Sequence, residues 1–330
     1  LKYQVKSSLN YPEDSAGRIM SRDFVSIPDN WTVREARQYL LNNEELPDDF
    51  YTIFLVDEKT LKPTGEIALD KLLRAKGDEK LNSIMDGEIV PVDVYTDQEE
   101  VAHMFREYGW MSAMVVDNKG RLIGVINIDD VVEIVHEETN EDMMLLTGAE
   151  SNDVYRSVFS IFKSRSIWLV TNLFATIVAA SVVGEFQDII AQLSILAVLM
   201  PIVASMGGTT GQQTLAVVVR SLATKELNSR NALRMIGKEF MVGLCNGLLF
   251  AVMIGIAVRI WFPGQEMISY IIALAMLCNL TVASLAGILI PLTINRLKID
   301  PAIASGVFLI ACTDSGGYFI FLGLAKLLLF

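Results

Sequence analysis

The chain has 330 residues, 52% apolar and 20% charged, with 27 Lys and Arg against 39 Asp and Glu for a formal net charge of −12. Its mean hydropathy of +0.40 is too high for an ordinary soluble protein, and its charged fraction is too large for an all-membrane one, so the two properties must be segregated. The acidic balance excludes nucleic acid, whose phosphates need clustered Lys and Arg, and it favours cations as partners.

A cut at residue 166 separates the two. Residues 1–166 hold 18 Lys and Arg and 32 Asp and Glu, whereas residues 167–330 hold 9 and 7. The first part reads as an acidic soluble module and the second as a membrane module. Cys245, Cys278 and Cys312 lie in apolar stretches without CxxC spacing, which indicates neither a disulfide framework nor a zinc site. His103 and His136 are too isolated for a His-based metal centre. Without Ser/His, Cys/His or metal-ligand constellations no catalytic residue is assigned, and an enzyme is not expected. Residues 1–12 form a polar leading segment with no apolar run of the kind a secretory leader needs.

Residues 13–78 and 79–138 read as two copies of one unit. Ala16-Gly17-Arg18-Ile19-Met20, Ile53-Phe54-Leu55-Val56-Asp57, Gly65-Glu66-Ile67 and Asp70-Lys71-Leu72-Leu73 recur as Asn82-Ser83-Ile84-Met85, Ala113-Met114-Val115-Val116-Asp117, Gly124-Val125-Ile126 and Asp129-Asp130-Val131-Val132. Each copy predicts a helix, a buried strand ending in Asp, a turn, a second strand beginning at Gly, and another helix. This order resembles the CBS (cystathionine-β-synthase) domain pair. The resemblance implies an α/β fold with a cleft between the units that often holds an adenosine nucleotide, or a metal ion in some members.

About 20 apolar residues are needed to cross the hydrocarbon core. Five segments qualify, about 167–184, 189–220, 238–262, 267–292 and 301–329, giving an all-α membrane domain over 167–330. The second holds Pro201, Gly207, Gly208 and Gly211 and is expected to be bent or irregular. Arg156, Lys163 and Arg165, then Arg220, Lys225, Arg230, Arg234 and Lys238, then Arg296 and Lys298 flank one side. The other side holds Glu185, Asp188 and Glu266, with Arg259 as the contrary charge. The positive-inside rule then predicts a multi-pass protein of the cell (inner) membrane, residues 1–166 cytoplasmic and the C-terminus outside. Gly243 and Gly247 fit the small-xxx-small spacing of close helix contacts.

Asp314 lies mid-way along the fifth segment, where a carboxylate costs roughly 2.5–3.5 kcal/mol on insertion scales and marks function. No basic residue lies at similar depth, so its natural partner is a cation. Hydrated Mg2+ is held through one or two carboxylates, with hydroxyl and carbonyl oxygens accepting from its water shell. Gly207-Gly208-Thr209-Thr210-Gly211-Gln212-Gln213-Thr214 offers such oxygens. One deep Asp among five helices makes a thin wall, so two copies about a twofold axis are expected to share one pore.

With these motifs the chain resembles the MgtE-type magnesium channels and transporters over essentially its whole length. The resemblance rests on Ile126-Asn127-Ile128-Asp129-Asp130-Val131 with Glu137 and Thr139-Asn140-Glu141-Asp142, on Pro201 through Gln213, on Val219-Arg220-Ser221-Leu222-Ala223-Thr224, on Asp300-Pro301-Ala302 and on Thr313-Asp314. It implies an amphipathic connecting helix over 139–166 and a homodimeric pore between the second and fifth membrane helices. It also implies Mg2+ at Asp314 and ATP in the CBS cleft as a modulator, with no nucleotide-binding residue assigned. Gly207, Gly208, Thr209, Gln212, Thr214, Gly306 and Ile310 are then expected to line the pore. Asp97, Asp129, Asp130, Glu137, Glu141 and Asp300 are expected to bind cytosolic Mg2+ and close it.

The sequence departs from the family pattern in lacking the helical acidic domain before the CBS pair, in Thr209 where Asn is usual, and in Val307-Phe308 and Ile310-Ala311 before the Asp. Two alternatives therefore stand beside Mg2+ transport: a transporter of the same fold preferring Mn2+ or Co2+, and a nucleotide-sensing membrane receptor. Apart from the family, Glu137 and Glu141 share a helix face where like charges repel unless neutralised. Divalent ions would draw such acidic surfaces together.

Overall fold

The structure, a computed structural model, describes residues 9–47, 49–86, 89–146, 148–149, 156–228 and 230–329; the side chains of residues 142, 303 and 304 also lie outside the description. It divides into two compact units, Leu1–Thr139 and Asn140–Phe330.

The first unit contains two sheets of the same topology. β1 (Ser26–Pro28) runs parallel to β2 (Thr52–Val56), which pairs antiparallel with β3 (Pro63–Ala68). β4 (Val92–Asp93) runs parallel to β5 (Ser112–Val116), which pairs antiparallel with β6 (Leu122–Asn127). Each hairpin carries a register shift at the same place, between Leu55 and Val56 and between Val115 and Val116. The Asp that ends each inner strand builds the turn. Asp57 accepts from the Thr60 N–H at 2.7 Å and the Thr60 hydroxyl at 2.8 Å. Asp117 accepts from the Lys119 and Arg121 N–H groups and the Arg121 guanidinium, whose hydrogen bond holds its carboxyl down to about 2.

Helices cover these sheets. α1 (Ala16–Ile19) and α2 (Val33–Asn42) come first; α2 starts with a capping box between Thr32 and Glu35. α3 (Leu69–Arg74) and α4 (Leu81–Ile84) follow β3. α5 (Gln98–Tyr108) is capped by Asp97 and stopped by Gly109 at φ 67°.

The leading helices are exchanged between the repeats. α1 is buried with Val92, Val101, Phe105, Val115 and Ile126, and its first N–H groups donate to Thr96 O and Val94 O. Leu81 of α4 is buried with Ile53, Leu55 and Ile67, and Asp86 N–H donates to Glu66 O at 2.9 Å. The boundary expected near residue 78 therefore divides the sequence repeat but not the packing body. A three-stranded sheet needs a covering helix to close its core, and here the helix comes from the other repeat.

α6 (Ile128–Leu145) leaves β6 and runs unbroken to Leu145. The connecting helix expected over 139–166 is not one helix. Its first part continues α6, Gly148 adopts φ 72°, residues 150–155 lie outside the described residues, and residues 158–166 already belong to the next helix. The reason is local: Ser157 caps that helix by accepting from Ser160 N–H, so it begins before the apolar stretch does.

The second unit is helical. α7 (Val158–Gly184), the short α8 (Gln187–Gln192), α9 (Ile195–Ala223), α10 (Ala232–Trp261), α11 (Glu266–Arg296) and α12 (Pro301–Leu329) follow in order. Among the described residues, five helices are long and apolar enough to cross a membrane. The break at Leu193–Ser194 separates α8 from α9, so the second expected span is two helices. α11 is the most enclosed, packed by α9, α10 and α12, whereas α7 contacts α12 and leaves most of its surface open.

The break in the second span falls at Leu193–Ser194 and not at its glycines, since α9 stays helical through Pro201, Gly207, Gly208 and Gly211. Its glycines serve close approach instead. A Cβ on Gly211 would stand 3.0 Å from Leu309, and one on Gly207 would collide with Asn279. Gly287 of α11 lies against Gly211 O, and Gly243 and Gly247 of α10 face Ser284 and Leu277. Glu239, buried on α10, accepts from the Thr214 hydroxyl at 2.9 Å.

Two tests follow from these contacts. Burial, and then the nearby Asp86, raise the Glu66 carboxyl above its ordinary 4.5. The folded state holds that proton more tightly than the unfolded chain, so stability falls as pH rises from 4.5 through the raised value. Glu66→Gln should therefore raise the melting temperature of the soluble unit at pH 7, with the gain vanishing below pH 4.5. Thr214→Val should lower detergent-solubilised stability by about 1–3 kcal/mol, because it strands a buried carboxylate. Glu239→Gln keeps an acceptor for the hydroxyl and should cost less in the same thermal measurement.

Candidate ion-pathway site

α9 and α12 run antiparallel and touch along three pairs. Gly211 faces Leu309, a Cβ on Gly208 would stand 3.9 Å from Thr313 Oγ1, and one on Gly317 would stand 3.5 Å from Ala204 Cα. Each helix turns 100° per residue. Along antiparallel right-handed helices, the residue after each contact residue swings to the same side of the contact line. Ser205, Thr209 and Gln212 of α9 and Ile310, Asp314 and Tyr318 of α12 therefore share one face. Gly306, four residues before Ile310, extends it.

That face is polar and open. Ser205, Thr209 and Gln212 are exposed, while Gly306, Ile310, Asp314 and Tyr318 are half-buried. The Thr209 hydroxyl donates to Ser205 O at 2.9 Å. Among the described residues, no ion pair or hydrogen bond engages the Asp314 carboxylate. Thr313 is buried and spends its hydroxyl on Leu309 O and Ile310 O.

Five of the eight expected pore residues, Thr209, Gln212, Gly306, Ile310 and Asp314, meet on this face. Gly208 sits in the helix contact itself. Gly207 and Thr214 do not join them: Gly207 packs on Asn279 of α11, and Thr214 is buried against Gly287 and bonded to Glu239. They occupy the opposite side of α9, where a regular helix places residues two before and two after the exposed line. Glu239, a second enclosed acid of the helical unit, lies toward the Ala232 end of α10 rather than midway along it, and it is bonded to Thr214.

Sequence reasoning also passed over Ser205, Tyr318 and Asn279. Asn279 is 1% exposed and donates to Val203 O at 2.7 Å. The available signal was an amide inside an otherwise apolar run, Leu277-Cys278-Asn279-Leu280.

The expected cation-sensing residues are spread out. Asp97 caps α5 through Glu99 N–H at 2.9 Å. The buried Gln98 beside it donates to Glu138 at 2.6 Å and to Asp14 at 3.3 Å. Asp129 and Asp130 occupy the first turn of α6, and Glu137 and Glu141 are exposed further along it. Burial, with the like charges of Asp129 and Glu133, raises the Asp130 carboxyl above its ordinary 3.8, against a lowering hydrogen bond from Asn127 N–H. Asp300 accepts from Ala302 N–H at 2.8 Å and caps α12. The side chain of Asp142 lies outside the described residues. Among the described residues, no three His, Cys, Asp or Glu side chains gather closely enough to hold a metal ion.

Comparison with known proteins agrees with this organisation. The MgtE divalent cation transporter family matches residues 200–324, and the CBS domain matches residues 16–78 and 81–137. The magnesium transporter MgtE of Enterococcus faecalis is 33% identical over 324 residues, covering 98% of this chain and 71% of that protein. The magnesium transporter MgtE of Bacillus subtilis is 30% identical over 322 residues, covering 97% and 71%. A crystal structure of the cytosolic domain of the Mg2+ channel MgtE in complex with ATP is 33% identical over 40% of this chain and 53% of that one, with a TM-score of 0.38. A CBS pair followed by five apolar helices, matched along nearly its full length by these transporters, places the chain in the MgtE family of divalent cation transporters.

Proposed function

We propose that two copies of this chain form a membrane channel or transporter for hydrated Mg2+, with the shared face of α9 and α12 lining the path. The observation that carries this reading is the open polar stripe of Ser205, Thr209 and Gln212 beside an unpaired Asp314. Exposed polar side chains and a carboxylate at membrane depth need water, an ion or a second subunit. A twofold axis along this face supplies all three, pairing two Asp314 carboxylates across a wet path.

Mg2+ enters as cargo with its water shell. The carboxylate offers charge, and the hydroxyls and amides of α9 accept from the bound waters. A membrane-anchored nucleotide receptor has no use for Asp314 at this position. The basic residues Lys163, Arg165, Arg220, Arg234, Lys238, Arg296 and Lys298 support cytoplasmic CBS domains and an external C-terminus. Arg259, the contrary charge, is paired with Glu266 at 2.8 Å.

Closure by cytosolic Mg2+ belongs to the same proposal. The mutual repulsion of Asp129, Asp130 and Glu133 at the start of α6 supports it, since a divalent ion relieves that repulsion and favours the state that binds it. The tandem repeats extend the reading to ATP between them, which ATP titration of the full chain would register.

Flux into proteoliposomes, measured in turn with Mg2+, Mn2+, Co2+, Ca2+ and Na+, tests the pore. Mg2+ should dominate, and Asp314→Ala should reduce its flux to background; normal flux in that variant rejects the assignment. A preference for Mn2+ or Co2+ would redirect it to the altered positions Thr209, Val307 and Ala311. For gating, Asp129→Ala/Asp130→Ala should raise flux several-fold at millimolar internal Mg2+, and an unchanged inhibition curve would remove the pair from the sensor.

A further inference from the structure

Asn279 stands behind the proposed pore, on the side of α9 and α12 away from the open face. It is 1% exposed on α11, and its Nδ2 donates to the Val203 carbonyl of α9 at 2.7 Å. Its amide fills space left by two glycines on two different helices. A Cβ on Gly207 of α9 would collide with it, and one on Gly317 of α12 would stand 3.3 Å from both amide heteroatoms. One polar side chain thus touches both helices that line the path. Gly207 directly precedes Gly208, the residue opposite Thr313, and Gly317 is one turn beyond Asp314.

We propose that Asn279 is a positioning residue for cation selection: its hydrogen bond to Val203 O sets the spacing and rotation of α9 against α12, and thereby where Thr209 and Gln212 stand relative to Asp314. An apolar side chain of similar size would fill the space without preferring one rotation. A hydrogen bond to a single helix carbonyl is directional, and inside the bilayer the amide has no water to turn to. Discrimination among hydrated divalent ions of equal charge depends on the placement of oxygens around the water shell. A small rotation of α9 is therefore read as selectivity before it is read as loss of fold.

This inference rests on the proposed pore, and the test separates the two. Gly207→Ala/Asn279→Ala moves a methyl group toward the vacated volume while removing the donor, and Asn279→Asp keeps the shape but replaces the donor with an acceptor. Both are reconstituted beside the parent chain and Asp314→Ala, with oligomeric state and orientation checked, and Mg2+, Mn2+ and Ca2+ fluxes are measured over a range of concentrations. The expected result is a Mg2+ over Ca2+ and Mg2+ over Mn2+ flux ratio lowered about fivefold to tenfold, the scale of one lost hydrogen bond, with maximal Mg2+ flux changed less. Parental ratios in either variant reduce Asn279 to a space-filler and overturn the inference. Background flux from Asp314→Ala alongside such ratios leaves the pore standing, whereas normal flux from Asp314→Ala fails the pore itself.

Discussion

The second unit depends on how closely α9 can approach its two neighbours. Apolar side chains gain little by burial against one another when the alternative is lipid, so contact must come from packing and directional bonds. Gly207 strips the flank of α9 toward α11 down to backbone and Gly208 and Gly211 the flank toward α12, and Gly287 and Gly317 do the same on the facing helices. Because both contact flanks of α9 are consumed in this way, its hydroxyls and amides at 205, 209 and 212 are left on the only flank still free. The polar stripe is the remainder after packing, and Asp314 falls beside it because α12 is antiparallel and one residue out of contact.

The soluble unit obeys a different constraint. Neither sheet closes its own core, and the exchange of α1 and α4 makes each repeat the lid of the other. Separation of the repeats would expose Leu81 on one side and Ala16 and Met20 on the other. Any ligand that changes how the repeats meet must therefore act on both cores. α6 begins inside this unit at Asp129 and Asp130 and continues to Leu145 without a break.

Much of this was legible in the residues. The repeat was visible because an Asx turn demands Asp at one fixed place, and both hairpins use it, at Asp57 and Asp117. The membrane helices were visible because the bilayer demands an uninterrupted apolar length; α7 begins before its apolar stretch because Ser157 caps it, whereas α12 begins where expected, after the Asp300 cap. The exchange of α1 and α4 was not legible, since the two leading segments are alike and either core would accept either helix. Pro201 and the glycines of α9 suggested a bent or irregular helix because glycine is permissive in isolation. Only the neighbours Asn279, Leu309 and Thr214 decide that it is spent on proximity. Thr214 looked like a pore hydroxyl for the same reason, as its facing direction depends on Glu239, 25 residues away.

Glu239 and Asp314, both carried on the long helices of the second unit, show why position rather than residue type supports the proposed ion path. Glu239 is buried on α10, near the basic ends Arg234 and Lys238, and a hydroxyl of its own protomer is bonded to it. Nothing in that arrangement asks for an outside partner, and the carboxylate joins α9 to α10. Asp314 has similar chemistry but sits beside the exposed Ser205, Thr209 and Gln212, and no donor of its own chain reaches it among the described residues. A group already satisfied holds helices together, whereas one that its own chain leaves unsatisfied is open to a partner from outside. That difference, rather than the rarity of acids in membranes, is what the proposed ion path rests on: Glu239 is already engaged within the helical unit and Asp314 is not.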